Sequence, residues 1–535
     1  MKKLAVLVAC LALAACDSST PDSDPAQPLG PPKPGTLRIL AGSELSDMQP
    51  ILDKAAEATG VKVQFTFTGT LEGAESLANG SAAGKYDALW FSSNRYPQSL
   101  PDANKKLGNQ VKIMSSPVVM GVARSVAQRL GWAGKPVSWG QIAEAAGSKS
   151  FSYGMTDPSA SNSGFSALVG VASALAGSGN AITVDQIAAV SPALTKFFSA
   201  QALSAGSSGW LSDAYVKRAA DPAQKVDGLI NYESVLLSMN AAGTLPEPLS
   251  LIYPSDGVVT ADYPLTLLTE ANDDARSAHQ RLSDYLRTPD VQKQIMETTR
   301  RRPAVPGVQL SSQFAVRDLI ELPFPAGHEP IDALLSAYFN KIRRPSRTLY
   351  VLDTSGSMEG DRIDSLRTAL VALTGADTTL VGKYRGFRSR EEVTLLPFSS
   401  KPGAPQTFAV PENGAQAELD KIKSFAQGLN ASGGTAIYDS LTRAYQILGQ
   451  ASADKFTSIV LMTDGENQNG SPIEAFEDTY RGLPEAARHI PVFTVLFGEG
   501  SPDEMNRVAT LTNGKVFDAR STPLQKVFQE VRGYQ

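Results

Sequence analysis

The sequence has few of the residues that support thiol or histidine chemistry. Its 535 residues include two cysteines and three histidines. Both cysteines, Cys10 and Cys16, lie near the start of the chain, so no disulfide can hold the folded part together. His279, His328 and His489 are scattered, and we expect each to be a surface or capping residue. This scarcity argues against a zinc site and against a histidine-based catalytic triad.

An excess of charge of one sign is also absent. The formal net charge is -5, with 19% charged and 42% hydrophobic residues, which is typical of a soluble globular protein. The sequence therefore gives no reason to expect nucleic acid as a partner. We expect the basic runs 300–302 and 343–344 to be solvated helix ends. At roughly 150 residues per domain, the length predicts about three compact units.

A long apolar run occurs only at the N-terminus. Two lysines precede the apolar segment 4–15, which is too short to span a bilayer and is typical of a secretory signal. The segment ends in Leu-Ala-Ala-Cys, which resembles the lipobox of bacterial lipoproteins. The resemblance implies that residues 1–15 are a signal peptide, that Cys16 is acylated, and that the protein is anchored to the bacterial cell membrane on its extracytoplasmic side.

The residues after Cys16 predict a tether. The stretch 16–35 is rich in serine, aspartate and proline and cannot bury apolar surface, so we expect it to be flexible. Asp17 resembles the signal that keeps some lipoproteins in the inner membrane. In a Gram-negative cell the protein would then face the periplasm.

From Thr36 onward, strands and helices alternate. The stretches 36–40, 61–67 and 87–93 each have the composition of a strand, and an amphipathic helix separates the first two. Strand, helix and strand in short succession predict an α/β fold with helices on the faces of a parallel sheet.

Hydroxyl-rich segments follow several of these elements. Residues 157–164 precede an Ala/Leu helix, and serine and glycine at a helix start present free N–H groups and hydroxyls suited to an anion. A plain helix cap or turn is the alternative for each such segment. The layout over 36–307 resembles the periplasmic solute-binding proteins, in which two lobes enclose an oxyanion or another small polar solute.

This second resemblance implies a two-lobed domain over 36–345 that ends in a linker helix near 331–342. Its ligand is a small solute or peptide end, and an oxyanion and a sugar both stay open. The candidate ligand-binding residues are Ser43, Thr68, Ser92, Ser116, Ser161 and Tyr232.

In the last third of the chain, apolar strands end abruptly in oxygen-bearing side chains. The stretches 347–358 and 458–464 share this layout, and Gly433-Gly434-Thr435 opens a helical pattern between them. In open α/β sheets, ligands bind where the carboxyl ends of strands meet such loops. Three hydroxyls and two carboxylates suit Mg²⁺, which prefers oxygen ligands. The candidate ligands are Asp353, Ser355, Ser357, Thr435 and Asp464.

This spacing resembles the metal-ion-dependent adhesion site of the von Willebrand factor type A (VWA) family. The resemblance implies a doubly wound, Rossmann-like domain over 346–535 that binds Mg²⁺, or Mn²⁺ or Ca²⁺ in its place. It also implies that Ser355, Ser357 and Thr435 bind the metal directly and that the two aspartates often act through water. An acidic side chain of an envelope protein would complete the metal shell.

These features together predict a membrane-anchored binding and scaffold protein rather than an enzyme. Two alternatives stay open. The chain is a solute receptor of an ABC importer with an accessory VWA domain, or it is a metal-dependent hydrolase. A hydrolase needs a base or nucleophile beside the metal, for which Asp439, Glu466 and Glu499 are the candidates.

Overall fold

The structure is a computed structural model that describes residues 33–221, 224–316 and 318–535. The predicted signal peptide, Cys16 and nearly all of the predicted tether lie outside these residues. None of the helices within the described ranges has the length and apolarity that a bilayer crossing requires.

The strands of the described residues form three sheets. They are β1 (Gly35–Ala41), β2 (Val61–Phe67), β3 (Ala88–Trp90), β4 (Leu107–Lys112), β5 (Met114–Ala123), β6 (Tyr153–Thr156), β7 (Gln201–Ala205), β8 (Gly228–Tyr232), β9 (Leu249–Ile252), β10 (Thr260–Ala261), β11 (Pro264–Leu268), β12 (Arg302–Pro303), β13 (Ser346–Asp353), β14 (Glu392–Phe398), β15 (Gln406–Ala409), β16 (Phe456–Thr463), β17 (Val492–Leu496) and β18 (Val516–Asp518).

The α-helices cover both faces of these sheets. They are α1 (Gln49–Thr59), α2 (Thr70–Ala78), α3 (Arg95–Ser99), α4 (Pro101–Asn104), α5 (Arg124–Arg129), α6 (Trp139–Gly147), α7 (Asn162–Ala176), α8 (Val184–Ser199), α9 (Ser208–Ala219), α10 (Glu233–Ala242), α11 (Asp273–Leu286), α12 (Pro289–Thr299), α13 (His328–Ala337), α14 (Asp361–Val371), α15 (Leu380–Arg385), α16 (Gln416–Gln427), α17 (Ile437–Leu448), α18 (Ile473–Arg481), α19 (Glu485–Arg488), α20 (Pro502–Leu511) and α21 (Leu524–Arg532).

The first sheet forms the body that we call lobe 1. Its strand order is β2-β1-β3-β11-β4, with β1 parallel to β2 and β3 and with β11 antiparallel to its neighbours. The antiparallel strand arises because the chain returns to lobe 1 after building the second sheet. His279 on α11 is buried beneath this strand, and its Nε2 lies 3.1 Å from the Leu265 carbonyl oxygen. The expectation of a surface histidine is therefore wrong at this position.

The second sheet forms lobe 2. Its strand order is β10-β5-β8-β6-β7, and β9 and β12 also pair with β5. Every residue of β5 is buried, as expected of a central strand. The chain passes between the lobes beside Ile113, whose N–H donates to the Tyr263 carbonyl oxygen of the returning segment at 3.4 Å. The predicted linker helix, α13 with a further turn to Ile342, packs on α8 with Leu334 and Leu335 fully buried.

The third sheet has the order β15-β14-β13-β16-β17-β18, and all neighbours except β14 and β15 are parallel. The central strands β13 and β16 are buried apolar runs, as the sequence predicts. Helix α17 follows Thr435 closely, as the helical pattern opened by Gly433-Gly434-Thr435 predicts. Three elements were not predicted from the sequence: α15, which precedes β14, and β15 and α16, which lie between β14 and α17.

Three arginines of the short basic runs are buried. Arg301 is 1% exposed and binds Asp47, and Arg302 is 6% exposed and places its Nε 2.7 Å from a carboxylate oxygen of Glu233. Arg343 is 4% exposed and pairs with a buried glutamate. The expectation of solvated helix ends is wrong for these three arginines, because each has a carboxylate partner far away in sequence.

Candidate metal centre and solute cleft

Asp353 ends β13 as a fully buried carboxylate held from both sides. Its Oδ1 accepts the Ser355 N–H at 2.8 Å, and its Oδ2 accepts the Thr463 hydroxyl at 2.7 Å. The loop then turns outward, so that the Ser355 Oγ lies 2.9 Å from the Ser357 Oγ. The three residues of the predicted motif therefore lie together at the carboxyl edge of the sheet.

Asp464 follows β16 and faces the same loop. It is fully buried, and its Oδ1 accepts the Ser357 hydroxyl at 2.8 Å. Its Oδ2 lies 2.6 Å from Nη1 of Arg362, at the start of α14. Arg362 was not predicted from the sequence, although an arginine at the start of the helix after the serine loop is within reach of that edge.

The loop of Thr435 is hydrogen-bonded to both of the others. Gly356 donates its N–H to the Gly433 carbonyl oxygen at 2.8 Å, and the Thr435 carbonyl oxygen accepts the N–H of Asn469 at 3.0 Å. Gly433 has φ +82, and a Cβ on Gly434 would lie 1.7 Å from the Asn469 side-chain oxygen, so both glycines are required. Thr435 is 2% exposed.

Two asparagines that the sequence analysis missed position this loop. The Asn469 Oδ1 accepts the Thr435 N–H at 3.1 Å, and the Asn467 Oδ1 accepts the Ile437 N–H at 2.9 Å. They satisfy donors at the start of α17 that the helix itself leaves unpaired. The sequence signal that could have found them is an asparagine pair directly after the Asp464 turn.

The electrostatics of this edge favour a cation. Burial raises the pKa of Asp353, and the nearby charge of Asp464 raises it further. Arg362 pairs with Asp464, and Asp353 accepts its hydrogen bonds from the neutral groups of Ser355 and Thr463. Hydroxyl and carboxylate oxygens suit a hard divalent ion such as Mg²⁺. No group of three or more His, Cys, Asp or Glu side chains suited to a metal occurs among the described residues.

The three carboxylates considered for hydrolysis have other surroundings. Asp439 accepts the N–H of Ser471 at 3.3 Å, at the start of α17. Glu499 is 88% exposed and lies 3.8 Å from Arg362, and Glu466 is exposed. A catalytic base is usually held by its surroundings, and two of these three side chains extend into solvent.

A cavity of about 590 Å³ lies between the lobes, where the sequence predicts a solute cleft. Of the six predicted ligand-binding residues, Ser43, Thr68 and Ser161 line it. Ser92 and Tyr232 lie behind the wall, where the tyrosine hydroxyl donates to the Ser92 Oγ at 2.9 Å.

Ser116 also lies outside the cavity lining. It is fully buried, and its Oγ accepts the N–H of Ser234 at 3.0 Å near the start of α10. Ser116 lies within β5, so it is neither a turn residue nor the N-cap of α10, but it accepts an N–H that the first turn of this helix leaves unpaired.

The cavity also has a third wall, which the sequence analysis did not predict. The C-terminal domain contributes α15, α21 and the neighbouring loops to its lining. Lobe 1 contributes three carboxylates to the lining, and burial raises the pKa of one of them, Glu44. The charged residues of the wall from the C-terminal domain are Asp377, Arg385, Lys515, Lys526 and Glu530.

Comparisons with known proteins agree with this division of the chain. Residues 37–298 match the family model described as bacterial extracellular solute-binding protein, and residues 349–530 match that of the von Willebrand factor type A domain. The chain therefore joins a solute-binding-protein-like domain to a VWA domain, and the predicted α/β fold class is confirmed for both.

Curated relatives match only part of the chain. Inter-alpha-trypsin inhibitor heavy chain H4 of Sus scrofa is 35% identical over 129 residues, which are 23% of this chain and 12% of that protein. An uncharacterized protein of Synechocystis is 25% identical over 175 residues, which are 32% of this chain and 37% of that protein. The chain thus spans well under half the length of these relatives.

Solved structures resemble each half separately. The periplasmic binding protein AfuA from Actinobacillus pleuropneumoniae is 13% identical, with a TM-score of 0.44, and the match covers 58% of this chain and 98% of that one. A von Willebrand factor type A structure from Catenulispora acidiphila is 17% identical, with a TM-score of 0.28, and covers 36% of this chain and 42% of that one.

Proposed function

We propose that this chain is an extracytoplasmic binding and scaffold protein with two sites. The VWA domain binds a divalent metal and, through it, an acidic side chain of an envelope protein. The cleft binds a small polar solute or peptide end. The observation that carries the proposal is the hydrogen-bonded meeting of three loops at one sheet edge, with two buried carboxylates and Arg362 beside them.

The donor set of this edge specifies the metal chemistry. Ser355, Ser357 and Thr435 would hold Mg²⁺ through their hydroxyls, and Asp353 and Asp464 would balance its charge from behind. A bound Mg²⁺ supplies a positive charge that is only partly neutralised and that attracts an anionic ligand. Neutral hydroxyls leave more of that charge available than carboxylates in their place would, which favours capture of a partner's carboxylate.

The remaining predictions complete this proposal. Acylation of Cys16 would anchor the protein to the cell membrane, and the stretch 16–35 would hold the folded part away from the lipid surface. We place the domain junction at residue 345, where Arg344 donates to the Gln201 carbonyl oxygen of lobe 2 at 2.9 Å before β13 begins.

Calorimetric titration with MgCl₂ tests the metal site. We expect the wild-type chain to release or absorb heat at a stoichiometry of one and Asp353→Ala to show no binding. Asp361→Ala is the matched control, because this exposed carboxylate lies at the start of α14 and outside the loops. Equal binding by wild type and Asp353→Ala would overturn the assignment of the metal site.

The partner is tested separately. Immobilised wild-type protein should retain envelope proteins from solubilised membranes in MgCl₂ and release them in EDTA, whereas Asp353→Ala should retain none of them. If both proteins recover the same set, the metal does not bridge to a partner. The calorimetric titration would still test the metal site independently of this result.

A further inference from the structure

The C-terminal domain closes the open side of the solute cleft, and it contacts the two lobes in different ways. Helices α15 and α21 lie over the cavity, together with the last residues of the chain. They contact α2 on the lobe 1 side and the loops after β6 and β7 on the lobe 2 side. A solute therefore has three bodies around it, and its path into the cavity depends on which contact separates.

The contact with lobe 2 is apolar and close. One continuous cluster of buried apolar side chains includes residues of both lobe 2 and the C-terminal domain. Tyr534 is 6% exposed, and its ring packs edge-on against Trp210 with centroids 4.9 Å apart. A Cβ on Gly206 would lie 2.5 Å from the Tyr534 ring, so the ring lies directly on that backbone. Such burial stabilises the contact strongly.

Hydrogen bonds from side chains to backbone carbonyl oxygens add to this contact. The Ser204 hydroxyl donates to the Gly533 carbonyl oxygen at 3.3 Å, and Arg385 donates to the Ser159 carbonyl oxygen at 3.2 Å. Packing and hydrogen bonds thus both join lobe 2 to the C-terminal domain, and we expect the two to move as one rigid body.

The contact with lobe 1 is more polar. Among the described residues, the C-terminal domain adds a single buried side chain, Tyr384 on α15, to the apolar cluster that includes lobe 1, whereas many of its side chains share a cluster with lobe 2. The Glu75 Oε2 accepts the Val381 N–H at 3.1 Å, and Lys526 lies 3.4 Å from Glu72. The Glu72 and Lys526 side chains are 47% and 61% exposed, and a pair of that exposure contributes little to stability. We call these four residues the latch.

From this asymmetry we infer that the cleft opens by release of the latch. Lobe 1 swings away from a body formed by lobe 2 and the C-terminal domain, and solute enters past α2. The C-terminal domain is therefore a built-in regulator of the cleft, because its contacts with lobe 1 hold the cleft closed. The inference rests on the proposed role of the cleft in solute binding, but it concerns movement alone.

Double electron–electron resonance tests the inference without solute or metal. The full chain carries Cys10→Ser and Cys16→Ser, so that only introduced thiols react with the nitroxide label. Glu57→Cys on α1 and Lys217→Cys on α9 report the distance between the lobes, since both positions are exposed. Lys217→Cys with Asp478→Cys on α18 reports the distance within the proposed rigid body.

The wild type should give one narrow distance distribution for each pair. The latch variant Glu72→Ala/Glu75→Ala should add a second, longer population between the lobes and leave the pair within the rigid body unchanged. The milder Lys526→Ala should add a smaller share of the same population. Glu418→Ala is the matched control, because it removes an exposed ion pair with Lys421 on α16, away from the latch.

Two outcomes would overturn the inference. Either the lobe-to-lobe distribution stays the same in the latch variants, or the pair within the rigid body broadens along with it. The unchanged distance within the rigid body also serves as the check that the variants fold. Because the measurement needs neither MgCl₂ nor solute, its failure leaves the proposed function standing, and a failed Mg²⁺ titration leaves the latch standing.

Discussion

The buried carboxylates at the two ends of the sheet in the VWA domain have pKa values shifted in opposite directions. Near the base, at the start of β14, fully buried Glu391 lies between Arg343 and Arg532, and Arg532 Nη2 lies 2.6 Å from its Oε2. Burial alone disfavours the ionised acid, but attraction to the two arginines outweighs it and lowers the pKa of Glu391. At the other end, the pKa of Asp353 is raised by burial.

The difference separates structural acids from acids poised for a ligand. At the base the protein supplies two cations for one carboxylate. At the carboxyl edge, Arg362 pairs with Asp464, and the other hydrogen bonds to Asp353 and Asp464 come from neutral groups. A carboxylate left short of positive charge in a buried site favours binding of a cation. Substitutions at the two ends should therefore have opposite effects on stability.

The largest effect is expected at the base. Glu391→Gln leaves two arginines buried without their acid, so we expect the free energy of unfolding to fall by about 3–5 kcal/mol, measured by urea denaturation. Glu392→Gln is the matched control at the next position, because Glu392 pairs with Arg347 while 26% exposed. That control should cost about 1 kcal/mol or less. Equal losses would contradict the contrast between the buried and the exposed pair.

Lowering the pH should reduce the stability of the wild type as Glu391→Gln does, because it protonates Glu391. The folded pKa of Glu391 lies below the ordinary glutamate value of 4.5, so its contribution to stability is present above that pH and is lost as the pH falls through the folded pKa. Urea denaturation from pH 6 downward should show wild type and Glu391→Gln converging in stability. Parallel curves would mean that the ionised acid does not stabilise the fold.

The next largest effect is expected at the carboxyl edge and has the opposite sign. In EDTA, Asp353→Asn removes an undercompensated charge, and we expect the free energy of unfolding to rise by about 1 kcal/mol. MgCl₂ at about 100 times its dissociation constant should stabilise wild type by about 2.7 kcal/mol and the variant not at all. Asp361→Asn should respond to MgCl₂ as wild type does. A destabilised variant in EDTA would make Asp353 a structural acid like Glu391.

The carboxyl edge was largely predictable from sequence because its residues follow their strands directly. An apolar run that ends in oxygen-bearing side chains is a local pattern, and the parallel sheet brings two such ends together. The pattern predicted Asp353, Ser355, Ser357 and Asp464, which hydrogen bonds link in this order in the structure. The pattern did not predict Arg362, because its contact with Asp464 depends on how α14 packs against the sheet.

The residues of the cleft were less predictable, because the sequence around a serine or threonine does not show whether its hydroxyl lines a cavity or bonds to the backbone. Ser161 and Ser116 look alike in sequence, yet one lines the cavity and the other lies near the start of α10. The wall that the C-terminal domain adds to the cavity could not be predicted either, because it depends on contacts such as that of Tyr534 with Gly206, which are far apart in sequence. The buried arginines Arg301 and Arg302 were misjudged because their acids, Asp47 and Glu233, are distant in sequence as well.

The smallest effect sharpens the contrast at the carboxyl edge. Arg362 lies 2.6 Å from Asp464 while 33% exposed, so it repels an incoming Mg²⁺ across a partly screened path. We expect Arg362→Gln to tighten Mg²⁺ binding by up to about 1 kcal/mol, roughly fivefold, in calorimetric titration at low salt. The gain should shrink at high salt. Arg367→Gln, one turn further along α14, should leave the affinity unchanged. Weaker binding by Arg362→Gln would instead mean that the arginine acts by holding Asp464 in place.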